Sequence, residues 1–429
     1  MKVITLYIAC IFLSFGAHAQ QTPAKKQLKP ISIQGATLHI GNGEIIENSL
    51  VVFENGKITY AGSNVQDNVI GSVIDASSKH IYPGFIAPNT TLGLVEIGAV
   101  RATDDISEIG EYNPHIRSLI AYNAESKIVE SMRPNGVLVA QVTPRGGRIS
   151  GTSSIVQLDA WNWEDAVLKS DDAMHINWPD LYTRGRWWLG EDPGYTPNKK
   201  YPEQVAELQM FFNQAKALEK TKTSSEQLPY EAMQEVFENK QKVFIHVNYE
   251  KGILEAIAFA KKNKITSLVI VGGDEAYKVG KTLKDNNIPV LLARTHSLPN
   301  KEDDDYDLPY KNAKLLVDMG ILVGLQNSGQ MERANARNLP FQAGTVAAHG
   351  LDKEKALQLI TYNNAVILGI DDLVGTIAVG KDATLFISKG DALDMRTNQL
   401  EKVFIQGRDV SLETHQTTLY KRYSNKYGQ

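Results

Sequence analysis

Short runs of almost unbroken apolar residues recur along this chain: residues 136–142 (GVLVAQV), 242–247 (KVFIHV), 267–271 (SLVIV), 288–293 (IPVLLA) and 320–325 (GILVGL). A strand wet on one face alternates apolar with polar side chains, so runs apolar at nearly every position read as strands buried on both faces. Between them, residues 253–262 (ILEAIAFAKK) and 275–284 (EAYKVGKTLK) carry helical spacing. The alternation predicts a parallel sheet with helices outside it, and at this length the closed form is a (β/α)8 barrel of the TIM type.

The ends follow another pattern. Residues 31–38 and 49–62 alternate apolar and polar positions across an Asn55-Gly56 turn, which predicts a β-hairpin. Residues 20–30, with Pro23, Pro30 and three lysines, read as a linker. Before them a basic start (Met1, Lys2), an apolar stretch from Val3 to Phe15 and the Ala17-His18-Ala19 cleavage pattern make residues 1–19 an export signal, so the mature chain is expected outside the cytoplasm, periplasmic or secreted. No later run approaches the ~20 apolar residues of a membrane span. Cys10 is the only cysteine and would leave with the signal, removing disulfides and thiolate ligands from the mature protein. A formal charge of −4 argues against a nucleic-acid partner.

All five tryptophans lie between Asp159 and Pro202, a stretch read as a long aromatic loop that either covers a site or packs as a small satellite core. Glu203 to Glu238 reads as two helices around a polar break at 221–227.

From about Ile31 to Gly407 the chain resembles the imidazolonepropionase-like amidohydrolases. The resemblance rests on the paired opening strands, on residues 83–91 (PGFIAPNTT), and on residues 356–369 and 374–386, which are similar to the family's closing helix and return strand. It implies a (β/α)8 barrel over residues 81–370. A small β-sandwich is expected from residues 31–80 and 371–410, followed by a tail at 411–429. The implied activity is hydrolysis of non-peptide C–N bonds in amides or cyclic amides, with zinc or another divalent metal in the active relatives.

The motif positions depart from that pattern. Where the family reads Pro-Gly-Leu-Ile-Asp-x-His-x-His, this chain has Asn89 and Thr91 in place of the two histidines. Neutral amide and hydroxyl oxygens hold transition metals far more weakly than imidazole. The Asp expected after the last strand is matched by Asn327, which cannot serve as a general base. His246 matches a later-strand ligand position, and Gly272, Gly273 and Asp274 stand where another histidine is expected. His246, His296 and Asp274 are therefore the candidate metal set, if any metal binds; the alternative is that they contact a small polar ligand in a catalytically inactive barrel. Arg145 and Arg148, in a glycine-rich segment after a strand, are candidates for an anionic group or solvent-facing residues of a turn. His115 and His175 are placed in long loops that can fold over the mouth and stay as minor candidates, and His39, His80 and His349 are placed in surface or capping roles. A homologous amidohydrolase chain or a second copy is the candidate protein partner.

Overall fold

The computed structural model describes residues 23–218 apart from 193, then 227–329 and 331–428. The export signal, Cys10 and most of the polar break at 221–227 lie outside the described residues.

Five strands come first: β1 (Ile31–His39), β2 (Ile45–Glu54), β3 (Lys57–Ser63), β4 (Ser72–Asp75) and β5 (His80–Pro83). Then come β6 (Phe85–Thr90), β7 (Val137–Val142), β8 (Ile149–Gln157) and β9 (Val167–Asn177). An exposed hairpin of β10 (Tyr182–Arg184) and β11 (Tyr195–Pro197) precedes β12 (Lys242–Val247), β13 (Leu268–Gly272), β14 (Val290–Leu292) and β15 (Val323–Leu325). The chain returns with β16 (Leu385–Ser388), β17 (Leu400–Ile405) and β18 (Arg408–Val410).

The two ends of the chain build one eight-stranded sheet, ordered β18-β17-β16-β5-β1-β2-β3 with β4 on β1. The Asn-Gly turn forms as its sequence predicts: Asn55 and Gly56 take φ of 51° and 79°, which the twist of a two-residue hairpin requires. The sheet curls on itself. Phe53 of β2 and Phe404 of β17 lie four strands apart in the ladder yet meet edge to face at 5.0 Å, around a core that includes Ile33, Val51, Ile81 and Leu385. The expected tail at 411–429 contains a helix, His415–Tyr427, opened by a capping box at Thr414.

The second eight-stranded sheet, β6 to β15, is the barrel wall. Its strands are parallel except β8, which runs antiparallel to both β7 and β9. The strand-then-helix repeat is therefore broken at the third strand, and residues 143–148 bridge β7 and β8 at the mouth. Part of the stretch read as a tryptophan-rich loop is in fact β9, an eleven-residue barrel strand. The seam between β6 and β15 is closed by Asn364, whose Nδ2 donates to Ile86 O at 2.9 Å and Leu325 O at 3.1 Å. Backbone bonds from Ile86 to Ile360 and from Leu325 to Leu359 complete the closure.

The barrel interior is layered by the two-residue period of a strand. Val139, Ile155, Ala173, Phe244 and Leu291 fill the lower layer together with Ala365, Ile367 and Leu368. Two residues further on, Gln141, His175 and His246 bring polar groups to the next layer. On the reversed strand β8 the order inverts, and polar Ser153 comes two residues before apolar Ile155.

Candidate functional site

Two backbone irregularities set the mouth. In β6 the register slips between Ala87↔Ala140 and Thr90↔Val142, giving β6 one extra residue, and Asn89 takes a left-handed φ of 52°. Asparagine tolerates this conformation better than most residues. In β9 the register jumps from Ile155↔Lys169 to Ser153↔Ala173, with Asp171 at φ 50°. Beside that bulge, Asp172 is buried against Ser153 and Gln141.

Asn89 and Thr91 are both engaged by the protein itself. Arg145 Nη1 donates to Asn89 Oδ1 at 2.9 Å, and its Nη2 donates to Asn89 O at 2.8 Å and Glu332 Oε2 at 3.1 Å. Glu332 in turn accepts the Thr91 backbone N–H at 2.6 Å, and Asn89 Nδ2 donates to Gln326 at 2.8 Å. Arg145 is thus held by its neighbours, and Arg148 is the arginine that lines the cavity. Asn327 is buried; its Oδ1 accepts from Gln342 Nε2, while its Nδ2 has no partner among the described residues.

Beneath the mouth runs a second network. The Gln141 Oε1 accepts the Asn89 backbone N–H at 3.0 Å, which turns its Nε2 towards Asp172 Oδ2 (2.8 Å) and Ser153 Oγ (3.1 Å). Ser153 Oγ lies 2.8 Å from Asp172 Oδ1 and 2.9 Å from His175 Nε2. His175 Nδ1 lies 2.9 Å from His246 Nε2. Burial pushes the Asp172 carboxyl up to about 6 against the opposing pull of Ser153, Gln141, Lys169 and Lys242. The same desolvation holds the His175 imidazolium well below its usual range, with His246 and Arg145 adding to the effect. His246 is pushed down to about 3, by burial first and Arg145 second.

His246 is partly exposed and borders a cavity of about 620 Å³ with Arg148, Asn177, Asp180, Tyr249 and Asp274 in its wall. Burial raises the Asp274 carboxyl, and Asn300 Nδ2 donates to it at 2.8 Å. His296 does not join them: its Nε2 lies 2.8 Å from Thr345 Oγ1, and it is not part of this cavity wall. The candidate set therefore supplies two groups to one cavity. Among the described residues no three His, Cys, Asp or Glu side chains are placed to share an ion. At the first-strand positions the available oxygens already serve Arg145 and its neighbours. This donor set does not fit the metal centre that the resemblance implies.

His175 stands on β9, fully buried, and not in a loop. The sequence offers it only as a minor candidate, whereas Ser153, Asp172, Gln141 and Glu332 are site residues that sequence reasoning passed over. The signal for His175 was the alternation through residues 172–176 (DAMHI), hidden within the tryptophan-rich frame. His39 is likewise buried and stacked on Tyr82 at 4.2 Å, with Nδ1 2.8 Å from Glu354 Oε1 and Nε2 3.1 Å from His80. His349 caps the helix Leu339–Ala348, and His115 has a buried Nδ1 without a partner among the described residues.

Residues 204–411 match the family model described as the amidohydrolase family. The chain is 22% identical over 367 residues to a 5'-deoxyadenosine deaminase from Methanobrevibacter smithii, covering 80% of each. In structure it is similar to an amidohydrolase from Thermotoga maritima, with a TM-score of 0.76 and 24% identity over 89% of this chain and 99% of that one. It also resembles a putative prolidase from Bifidobacterium longum, with a TM-score of 0.54 and 16% identity over 92% and 99%. The last two likenesses speak to the fold, and the matched segment runs from the first helix after the β10–β11 hairpin through the return strands. By that match and that architecture, the chain is similar to the amidohydrolase family over residues 204–411 and shares the barrel fold of solved amidohydrolases.

Proposed function

We propose that this chain is an exported amidohydrolase-family protein that acts on a small polar molecule with an amide or cyclic-amide C–N bond, at a site departing from the family's metal-ligand set. The observation that carries this reading is His246: a ring at the wall of a polar cavity, backed by His175 and oriented by it. Arg148 offers guanidinium hydrogen-bond donors at that cavity, and Asp274 offers a carboxyl group that burial shifts towards its neutral form. The deaminase and prolidase named above belong to the same class of chemistry, which supports the C–N assignment.

Hydrolysis of a panel of hydantoins, N-acyl amino acids and dipeptides by the mature protein tests the reading. Turnover of at least one class is expected, with H246A lowering kcat/KM about 100-fold, the lower end for loss of a general acid–base group. Absence of turnover and of binding across the panel would overturn it and leave a barrel that serves another ligand or a partner. Export is supported by the charge, apolar and Ala-x-Ala pattern of residues 1–19. Amino-terminal sequencing of the envelope fraction should begin at Gln20, and an intact Met1 there would contradict it. Pairing with a second copy or a homologous chain belongs to the same reading and is supported by the β10–β11 hairpin, where Trp188 is 65% and Leu189 60% exposed. Light scattering of the purified protein at the mass of one chain, with no related chain recovered in a pull-down, would remove that part.

A further inference from the structure

We propose that His246, His175, Ser153 and Asp172 form a proton relay, through which His246 accepts a proton from a group in the cavity while the proton gained by the protein ends on Asp172. The relay deepens the reading of the cavity given above, since it supplies the base that Asn327 cannot provide. Its direction is fixed by the hydrogen bonds themselves. The Asn89 backbone N–H can only donate, so Gln141 must present Oε1 to it and both N–H bonds of Nε2 to Ser153 and Asp172. An ionised Asp172 can only accept, so the single Ser153 hydroxyl proton goes to it at 2.8 Å in preference to Ala173 O at 3.3 Å. The remaining lone pair of Ser153 Oγ then requires a donor, which makes His175 the Nε2–H tautomer. His175 Nδ1 is left as an acceptor, so His246 is also the Nε2–H tautomer. Its Nδ1 carries a free lone pair, with no protein partner among the described residues.

The transfer balances atom by atom. An O–H or N–H bond of the cavity group, a water attacking an amide carbonyl in the reading above, breaks as His246 Nδ1 gains the proton. His246 Nε2–H passes to His175 Nδ1, His175 Nε2–H to Ser153 Oγ, and Ser153 O–H to Asp172 Oδ1. The result is a deprotonated cavity group, two neutral imidazoles of the opposite tautomer, and a neutral Asp172. Every link spans 2.8–2.9 Å, so each proton moves along a hydrogen bond already formed. The alternative, an imidazolium at His246, would place a second positive charge beside Arg145 in a desolvated layer, and the shifts of both rings run against it. Lys169 and Lys242 face Asp172 and Arg145 faces the two rings, so these are the charges that bias the equilibrium.

Histidine-selective ¹⁵N labelling and NMR of the whole mature protein test the relay without any substrate. At about pH 8 both rings should be neutral Nε2–H tautomers, and as Asp172 takes up its proton on acidification towards about pH 5 both should convert to Nδ1–H without a doubly protonated ring. D172N should stay in one tautomer throughout, and S153A should uncouple the rings from Asp172. A His246 that becomes imidazolium over this range, or rings that hold their tautomer while the Asp172 carboxyl titrates, would overturn the proposal. If either variant fails to fold, the wild-type titration still decides. Failure of the C–N hydrolase reading leaves these spectra unchanged. Where a substrate is found, S153A should lower kcat at least tenfold with KM held within about twofold, because Ser153 is a positioning residue behind His246.

Discussion

Asn89 and Thr91 stand where the family resemblance implies a histidine pair, and the positive charge near them belongs to Arg145. Its guanidinium fork spans Asn89 and Glu332, so the mouth is stitched together by directional hydrogen bonds among groups already paired. R145A strands the 7%-exposed Glu332 carboxylate; removing one partner of a fully buried pair costs about 3–5 kcal/mol, and the 25% exposure of Arg145 brings the expectation to about 2 kcal/mol. Urea unfolding measures it, and an unchanged midpoint would mean the fork contributes nothing. A second expectation concerns pH. Asp172 is raised in the folded protein from 3.8 to about 6, so the folded state binds more protons and stability falls as pH rises through that window. His246, lowered from 6.5 to about 3, works in the opposite sense, adding stability as pH rises from about 3 to 6.5. The two partly cancel near pH 4–6 in the wild type. D172N removes the opposing contribution and should show a steeper gain of stability with pH there, measured by urea midpoints. A profile parallel to the wild type would contradict the Asp172 shift.

Among elements, those legible in the sequence were the ones whose residues announce a single environment. β7, β12 and β13 are apolar at nearly every position because the barrel interior covers one face and the outer layer of the chain covers the other, and the Asn55-Gly56 turn is set by backbone sterics alone. The strands that escaped are β8 and β9. Their inner faces carry Ser153, Asp172 and His175 in place of aliphatic residues, so the polar layer that makes the site also erases the hydrophobic signature of the strands that hold it. Reversal of β8 was out of reach for the same reason, since the segment after β7 reads as a glycine-rich turn. Asn89 and Thr91 share a face of a regular strand, but the β6 bulge sends each to its own partners. The seam gives a third expectation. Asn364 holds the carbonyls of Ile86 and Leu325 together, and N364A leaves both without this donor, at a cost of about 2 kcal/mol. Thermal unfolding checks it; a variant as stable as the wild type would show that the backbone bonds at the seam suffice.

At the scale of the molecule, the curled terminal sheet and the barrel are joined through a compact buried cluster. His39 stacks on Tyr82 and meets Glu354 on the helix Lys353–Gln358, linking β1 and β5 to the barrel side of the chain. E354A should therefore lower the apparent melting temperature while leaving one transition, as calorimetry would record; two separate transitions would mean the sheet and the barrel are only loosely coupled. The resemblance reached the right architecture because the scaffold phrases survive in order along the chain. It could not supply the chemistry, because ligand positions are set by single residues, and a likeness carried by scaffold phrases does not fix them. The central claim is that a hydrogen-bonded network around Arg145 and His246 stands at the barrel mouth where the resemblance implies a metal centre. Elemental analysis of the mature protein, purified without chelator and again after loading with zinc, manganese or iron, tests it most directly. The account predicts no stoichiometric metal under any loading. Roughly one or two tightly held ions per chain, lost in H246A, would contradict it.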